Sequence, residues 1–170
     1  MFNNRNIIPY NRETALSYAT KWALSRNPKF YDYSKIGGDC TNFASQVLWA
    51  GGANMNYDPV QGWYYIDPNQ KSPSWTGVNF LYLFLVSNRT VGPFGIETNP
   101  ANVKVGDLIQ LSYKGGGDFN HTLVITKFEP PFNMEHIYVS THTIDRYNVN
   151  LVQTYSWKQI RFIHILGSYR

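Results

Sequence analysis

The sequence predicts an α+β fold in which N-terminal helices pack on a mainly antiparallel β-sheet. Three observations predict it. Apolar residues recur at helical spacing through the first half of the chain. The pattern then switches to period two, in runs near 105–113, 121–128, 136–142 and 160–169. No internal repeat or low-complexity run interrupts the succession of helices and then strands.

Residues 1–9 read as an extended lead and 10–170 as one domain, a length sufficient for a single well-buried core. Asn11-Arg12-Glu13-Thr14 is cap chemistry, followed by Ala15, Tyr18, Ala19, Trp22 and Ala23 at helical spacing up to Asn27-Pro28. Phe30-Tyr31-Asp32-Tyr33 is an aromatic connection to Gly37-Gly38-Asp39, a turn and cap. A second helix then carries Phe43, Val47 and Leu48 until Gly51-Gly52 stops it. Residues 54–74 lack periodicity, but their aromatics Tyr57, Trp63, Tyr64 and Tyr65 argue against disorder. This segment is expected to fold over the domain as a cleft wall. Thr76 is expected to cap a third helix, with Val78, Leu81, Tyr82 and Leu85 inward, ended by Asn88 and a Gly92-Pro93 turn. Gly106-Asp107 turns the chain into the first strand, which makes Asp107 structural, and Lys114-Gly115-Gly116-Gly117-Asp118 is a loop.

Cys40 is the only cysteine, which excludes an intrachain disulfide and a Cys-based metal site. It stands in the first turn of the second helix, where unpaired N–H groups and the positive end of the helix dipole favour a thiolate. A small buried core thiol is the competing reading, and the polar neighbours Asp39, Thr41 and Asn42 speak against it. Asp39 is expected to cap the helix, and Asn42 either faces a cleft or solvates the helix.

Four histidines offer a base. His121 opens the apolar run Thr122-Leu123-Val124-Ile125, a largely buried strand, and His142 ends the run Ile137-Tyr138-Val139-Ser140-Thr141. His136 and His164 fit surface or core roles. None of the set has the i,i+4 or carboxylate-paired spacing of a metal site. A helix-borne cysteine, a histidine opening one strand and a polar residue on the next form the arrangement of papain-like hydrolases, where a third group orients the base. His121 is thus the expected base and His142 its orienter, with Asp145 or Asn148 in that role if His142 faces the core.

The run Gly37-Gly38-Asp39-Cys40-Thr41-Asn42-Phe43-Ala44-Ser45-Gln46, Gly106-Asp107-Leu108-Ile109-Gln110, the His121 strand and Thr141-His142-Thr143 together resemble the bacterial putative amidase domain family. That family is related to the NlpC-type and CHAP cell-wall peptidases and amidases. The resemblance covers roughly residues 10–170 and implies a papain-like fold and a cysteine-dependent amide hydrolase without a cofactor. It implies Cys40 as nucleophile, His121 as base and His142 as third residue. The Cys40 backbone N–H would be one oxyanion donor and an upstream tyrosine, Tyr31 or Tyr33, the other. The implied substrate is peptide or peptidoglycan; Asp39 and Asn42, beside Cys40, and Trp63, in the aromatic segment that follows the Cys40 helix, are expected near it.

Composition agrees with such a partner. Net charge is +4 and the sequence pI about 9.1, which favours anionic polymers. The basic residues are scattered singly, so no nucleic-acid footprint is expected. Aromatic content is 16%, and Tyr and Trp in excess can line glycan and peptide clefts as well as fill a core. The N-terminal segment is too polar for a signal peptide, and no run is long enough to span a bilayer, so a cytoplasmic or a spore- or wall-associated monomer is expected. Two other functions compete: a non-catalytic wall- or spore-associated binding module on the same fold, and acyl transfer to an amine from the same Cys–His site.

Overall fold

The computed structural model describes residues 6–170, so part of the expected N-terminal lead lies outside the described residues. Strand β1 (Ile7–Ile8) is followed by helix α1 (Arg12–Trp22), capped by the Asn11 side chain accepting from the Thr14 N–H at 3.1 Å. The helix stops before Asn27-Pro28 because tertiary partners claim its next turn. The Trp22 carbonyl accepts from the His142 ring, and Arg26 turns away to Asp145. Helix α2 (Cys40–Ala50) is buried continuously from Cys40 to Leu48, which makes it the central helix of the protein.

Residues 54–74 are ordered by a short hairpin, β2 (Tyr65–Asp67) and β3 (Gln70–Lys71), leading into helix α3 (Pro73–Thr76). Thr76 therefore ends α3 rather than capping the next helix. Gly77 holds the N-cap of α4 (Val78–Ser87), which buries Leu81, Phe84 and Leu85, while Val78 and Tyr82 are half-buried. Two of the longer strands escape period-two reading: β4 (Gly92–Thr98), which opens on Gly-Pro, and β8 (Arg146–Asn150). Both are specified by the neighbour they pair with, β9 (Gln159–Tyr169) and β7 (Ile137–Thr141) respectively.

With β5 (Leu108–Ser112) and β6 (His121–Phe128), these strands form a seven-stranded sheet in the order β1-β9-β5-β6-β7-β8, with β4 also on β9. Every pairing recorded in it is antiparallel. Its central strands are buried on both faces, which explains their continuous apolar runs. Leu108, Val124 and Ile163 face the helices, with Phe43, Val47 and Leu81. Ile109, Leu111, Leu123, Ile125 and Phe162 face a second core with Val139 and Leu151, the latter in short helix α5 (Leu151–Thr154). Asp107 is structural. Fully buried, it accepts from the Lys104 and Ile165 N–H groups, from Arg12 at 2.8 Å and from His164 at 2.7 Å, tying α1 to β9. Among the described residues no helix is long and apolar enough to cross a membrane.

Candidate active site

Cys40, the first residue of α2, and His121, the first residue of β6, line one cleft of about 430 Å³. Gly37, Gly38, Thr143 and Ile144 form one part of its lining, and Tyr113, Asn120, Arg146 and Tyr155 another. The turn before Cys40 needs its glycines: Gly38 has φ +107, and a Cβ there would lie 3.3 Å from Thr143 Oγ1. Thr143 itself adopts φ +91, a conformation that β-branched residues rarely take and that costs about 1–3 kcal/mol. It is held there by the Asp39 N–H, which donates to Thr143 Oγ1 at 2.7 Å. Strain and close backbone approach thus gather at the rim of this cleft.

The electrostatics differ from the expectation of a preformed thiolate. Burial pushes the Cys40 thiol up from its ordinary value, because the sulfur is almost wholly removed from water. Hydrogen bonds from the backbone N–H groups of Thr122 and Thr41 and from the Thr41 hydroxyl offset part of that rise, and the Asp39 carboxylate adds to it. Burial also lowers His121, to about 4, so its imidazole is uncharged at neutral pH and available as a base. Among the described residues neither ring nitrogen of His121 has a hydrogen-bond partner. The ring is placed instead by Tyr113 and Tyr155, with centroids 6.3 and 5.6 Å away.

His142 is not beside His121. It is fully buried and stacked on Phe43 at 4.2 Å, with Nδ1 on Asp39 Oδ2 at 2.6 Å and Nε2 on the Trp22 carbonyl at 2.8 Å. Both ring nitrogens are engaged on the side of α1, which corrects the expectation that His142 orients the base. The alternatives fare no better: Asp145 takes both Nη groups of Arg26 at 2.9 Å, and Asn148 accepts from Thr126.

Asp39 occupies the N-cap position, but its side chain makes no cap bond. It is fully buried and accepts from the Tyr33 N–H, from Asn42 and from His142, so it organises the turn and does not line the cleft. Asn42 is likewise buried, spanning the Tyr31 carbonyl, Asp39 and the Trp75 indole. Neither Tyr31 nor Tyr33 lines the cleft: Tyr33 is buried and donates to the Pro68 carbonyl, and Tyr31 packs edge-on against it. Trp63 offers no face to a ligand. It has no exposed surface, packs on Trp75 and Phe84, and donates its indole N–H to Ser45. The segment 54–74 contributes nothing to the Cys40 cleft. Its residues Val60 and Gln61 instead border a separate open groove of about 700 Å³ beside Phe80, Leu83 and Arg89 of the α4 region.

Several cleft residues went unread in the sequence, among them Tyr113, Asn120, Arg146 and Tyr155. A signal existed for the first. Leu111 pairs with His121 across the hairpin, so Tyr113, two residues on, falls on the same face next to the histidine. Arg146 opens strand β8, which the period-two pattern did not reveal, and Tyr155 stands beyond it at the end of α5. Burial raises Tyr113, and raises Tyr155 to about 12, so both phenols keep their protons and can donate.

The family described as putative amidase domain matches residues 9–165. Two proteins of Bacillus subtilis (strain 168), both named as uncharacterized, are similar to this chain. YhbB is 36% identical over 118 residues, which cover 68% of this chain and 37% of that protein. YjcM is 29% identical over 147 residues, which cover 82% of this chain and 32% of that protein. The chain thus spans about a third of the length of these relatives. No solved structure matches it significantly.

Proposed function

Since the chain belongs to the putative amidase domain family, and so among amide hydrolases at a general level, we propose that it is a cysteine-dependent amidase of papain-like design acting on cell-wall peptide. One observation carries the reading: the sole cysteine and an uncharged histidine open into the same cleft from the ends of two rigid elements. Cys40 Sγ attacks the amide carbonyl while His121 takes the thiol proton. The C–N bond then breaks as His121 returns that proton to the leaving amine, leaving a thioester. Water, deprotonated by His121, cleaves the thioester and restores the thiol. Because Cys40 and His121 are both neutral at rest, the proton moves during attack rather than before it. The Cys40 N–H has no intrahelical acceptor and serves the developing oxyanion, with the protonated Tyr113 and Tyr155 hydroxyls on the same cleft as further donors.

Arg146 is the one charged residue lining the cleft, and among the described residues it pairs with no carboxylate. It suits a substrate carrying an acidic group near the scissile amide, as stem peptides do. Digestion of purified peptidoglycan and synthetic stem peptides, read as new amino groups with Cys40→Ala as blank, tests the proposal. Release by wild type alone supports it, and equal release by both proteins overturns it.

A further inference from the structure

Four polar side chains buried between the sheet and helices α2 and α4 form an unbroken line to the Cys40 sulfur, and the catalytic steps above use none of them. Gln110 of β5 stands directly opposite Thr122 of β6 on one side and Arg161 of β9 on the other, so the three form one row across three strands. Thr41, Thr122 and Gln110 have no exposed surface, and Arg161 has 9%. Arg161 Nε and Nη2 reach Gln110 Oε1 at 2.9 and 2.5 Å. Gln110 Nε2 reaches Thr122 Oγ1 at 3.3 Å and the Val78 carbonyl at 2.8 Å. Thr122 Oγ1 meets Thr41 Oγ1 at 2.9 Å, and Thr41 Oγ1 meets Cys40 Sγ at 3.8 Å.

The direction of this line follows from donor chemistry. Arginine has no acceptor, so the Gln110 atom facing it must be the oxygen, and the amide nitrogen then faces Thr122. Thr122 Oγ1 accepts from that nitrogen, which leaves its own proton for Thr41. Thr41 in turn has its proton left for the sulfur. Every member therefore donates towards Cys40. The charge at the far end is held in place: the guanidinium lies 3.6 Å from the Tyr82 ring centroid and 3.9 Å from that of Phe119, and donates to Asn79 Oδ1 at 2.9 Å. No salt bridge to Arg161 exists among the described residues. Glu97, an acid whose charge acts on Arg161, is engaged by the Tyr82 hydroxyl at 2.7 Å.

We propose that Arg161, Gln110 and Thr122 are positioning residues that align a one-way chain of hydrogen-bond donors, ending at Thr41, to stabilise the Cys40 thiolate as it forms. Such chains polarise cumulatively in a dry interior. The chain thus supplies from behind the helix part of what burial withholds from the sulfur. It rests on the reading of Cys40 as nucleophile, yet its test needs no substrate. Amide cleavage by Cys40→Ala sinks that reading, whereas the chain stands or falls on thiol titration alone.

The test is the pH profile of Cys40 alkylation by iodoacetamide in wild type, Gln110→Glu, Thr122→Val and Thr122→Ser. A carboxylate at 110 accepts from both Arg161 and Thr122, so it reverses the chain while keeping the link to Arg161. Gln110→Glu and Thr122→Val are expected to move the midpoint upward by about one pH unit, a roughly tenfold slower reaction below it, with the high-pH limit unchanged. Thr122→Ser keeps the hydroxyl and is expected to restore the wild-type midpoint. Folded Gln110→Glu and Thr122→Val proteins, judged by circular dichroism, that retain that midpoint overturn the proposal. If Gln110→Glu does not fold, Thr122→Val decides. If neither folds, the Thr41 and Thr122 hydroxyl protons of wild type decide by NMR: they are expected to shift as the thiol titrates, and unmoved resonances overturn the chain.

Discussion

The His142 ring donates to Asp39 Oδ2 across 2.6 Å, and that bond joins the residue before Cys40 to the end of β7. Both partners are fully buried, and Arg26 Nε lies 3.6 Å from the same oxygen. The histidine expected to orient the base thus holds the turn that presents the nucleophile. Removing one member of a buried pair strands the other. His142→Ala or Asp39→Ala is therefore expected to lose about 3–5 kcal/mol in urea unfolding. Enough native His142→Gln protein should be recoverable to show an unaltered acid limb of the pH–rate profile. A displaced acid limb would return His142 to the catalytic apparatus.

His121 makes stability depend on pH in a defined window. Folded, it stays neutral down to about pH 4 because burial disfavours its charge, whereas the unfolded chain takes up the proton near the ordinary value of 6.5. Between these values the unfolded state binds more protons, so stability falls as pH drops from 6.5 towards 4 and is fully present above 6.5. The contribution is at most about 3 kcal/mol. Melting temperature across this range should decline less steeply in His121→Asn than in wild type.

The same histidine sets the catalytic pH dependence. Activity should persist to about pH 4–5 on the acid side, since His121 remains a base there. His121→Ala is expected to reduce turnover by about 10²–10⁴-fold. It should leave the Cys40 alkylation midpoint nearly unchanged, because a neutral ring lends the thiolate no charge. A preformed thiolate–imidazolium pair would instead make that midpoint climb in His121→Ala.

Burial acts on Cys40 in the opposite sense to the hydrogen bonds it receives from Thr122 and Thr41, and burial is the larger. Alkylation of wild-type Cys40 is thus expected to follow a midpoint at or above the free-thiol value of about 8.5. A midpoint well into the acid range would contradict this balance.

Trp63 and Arg146 separate stability from recognition. Trp63→Ala deletes a wholly buried indole and is expected to cost about 3–5 kcal/mol, with KM unchanged in the protein that remains folded. Arg146→Ala should leave the melting temperature in place. It should raise KM roughly tenfold for peptides with a free carboxylate beside the scissile amide, and hardly for their amidated counterparts. Equal effects on both peptide sets would remove Arg146 from substrate binding.

What the sequence determined by itself is what local chemistry encodes. The Asn11 cap, the glycine turn before Cys40, the helix behind it and the four apolar runs each follow from propensity, capping and period, which act within a few residues. The placement of Cys40 and His121 at the ends of a helix and a strand was legible for the same reason. What only the tertiary structure decided is which side chains those ends face. His142 follows a strand of alternating faces, and its ring turned to Asp39 and Trp22 because α1 passes there. Trp63, in a segment without periodicity, went into the core because Trp75, Phe84 and Ser45 converge on it from other elements. Tyr155 and Arg146 reached the cleft through β8, a strand specified by its pairing with β7 rather than by its own pattern. The row Arg161–Gln110–Thr122 exists only through cross-strand register, because its members are distant in sequence and adjacent only once the sheet closes.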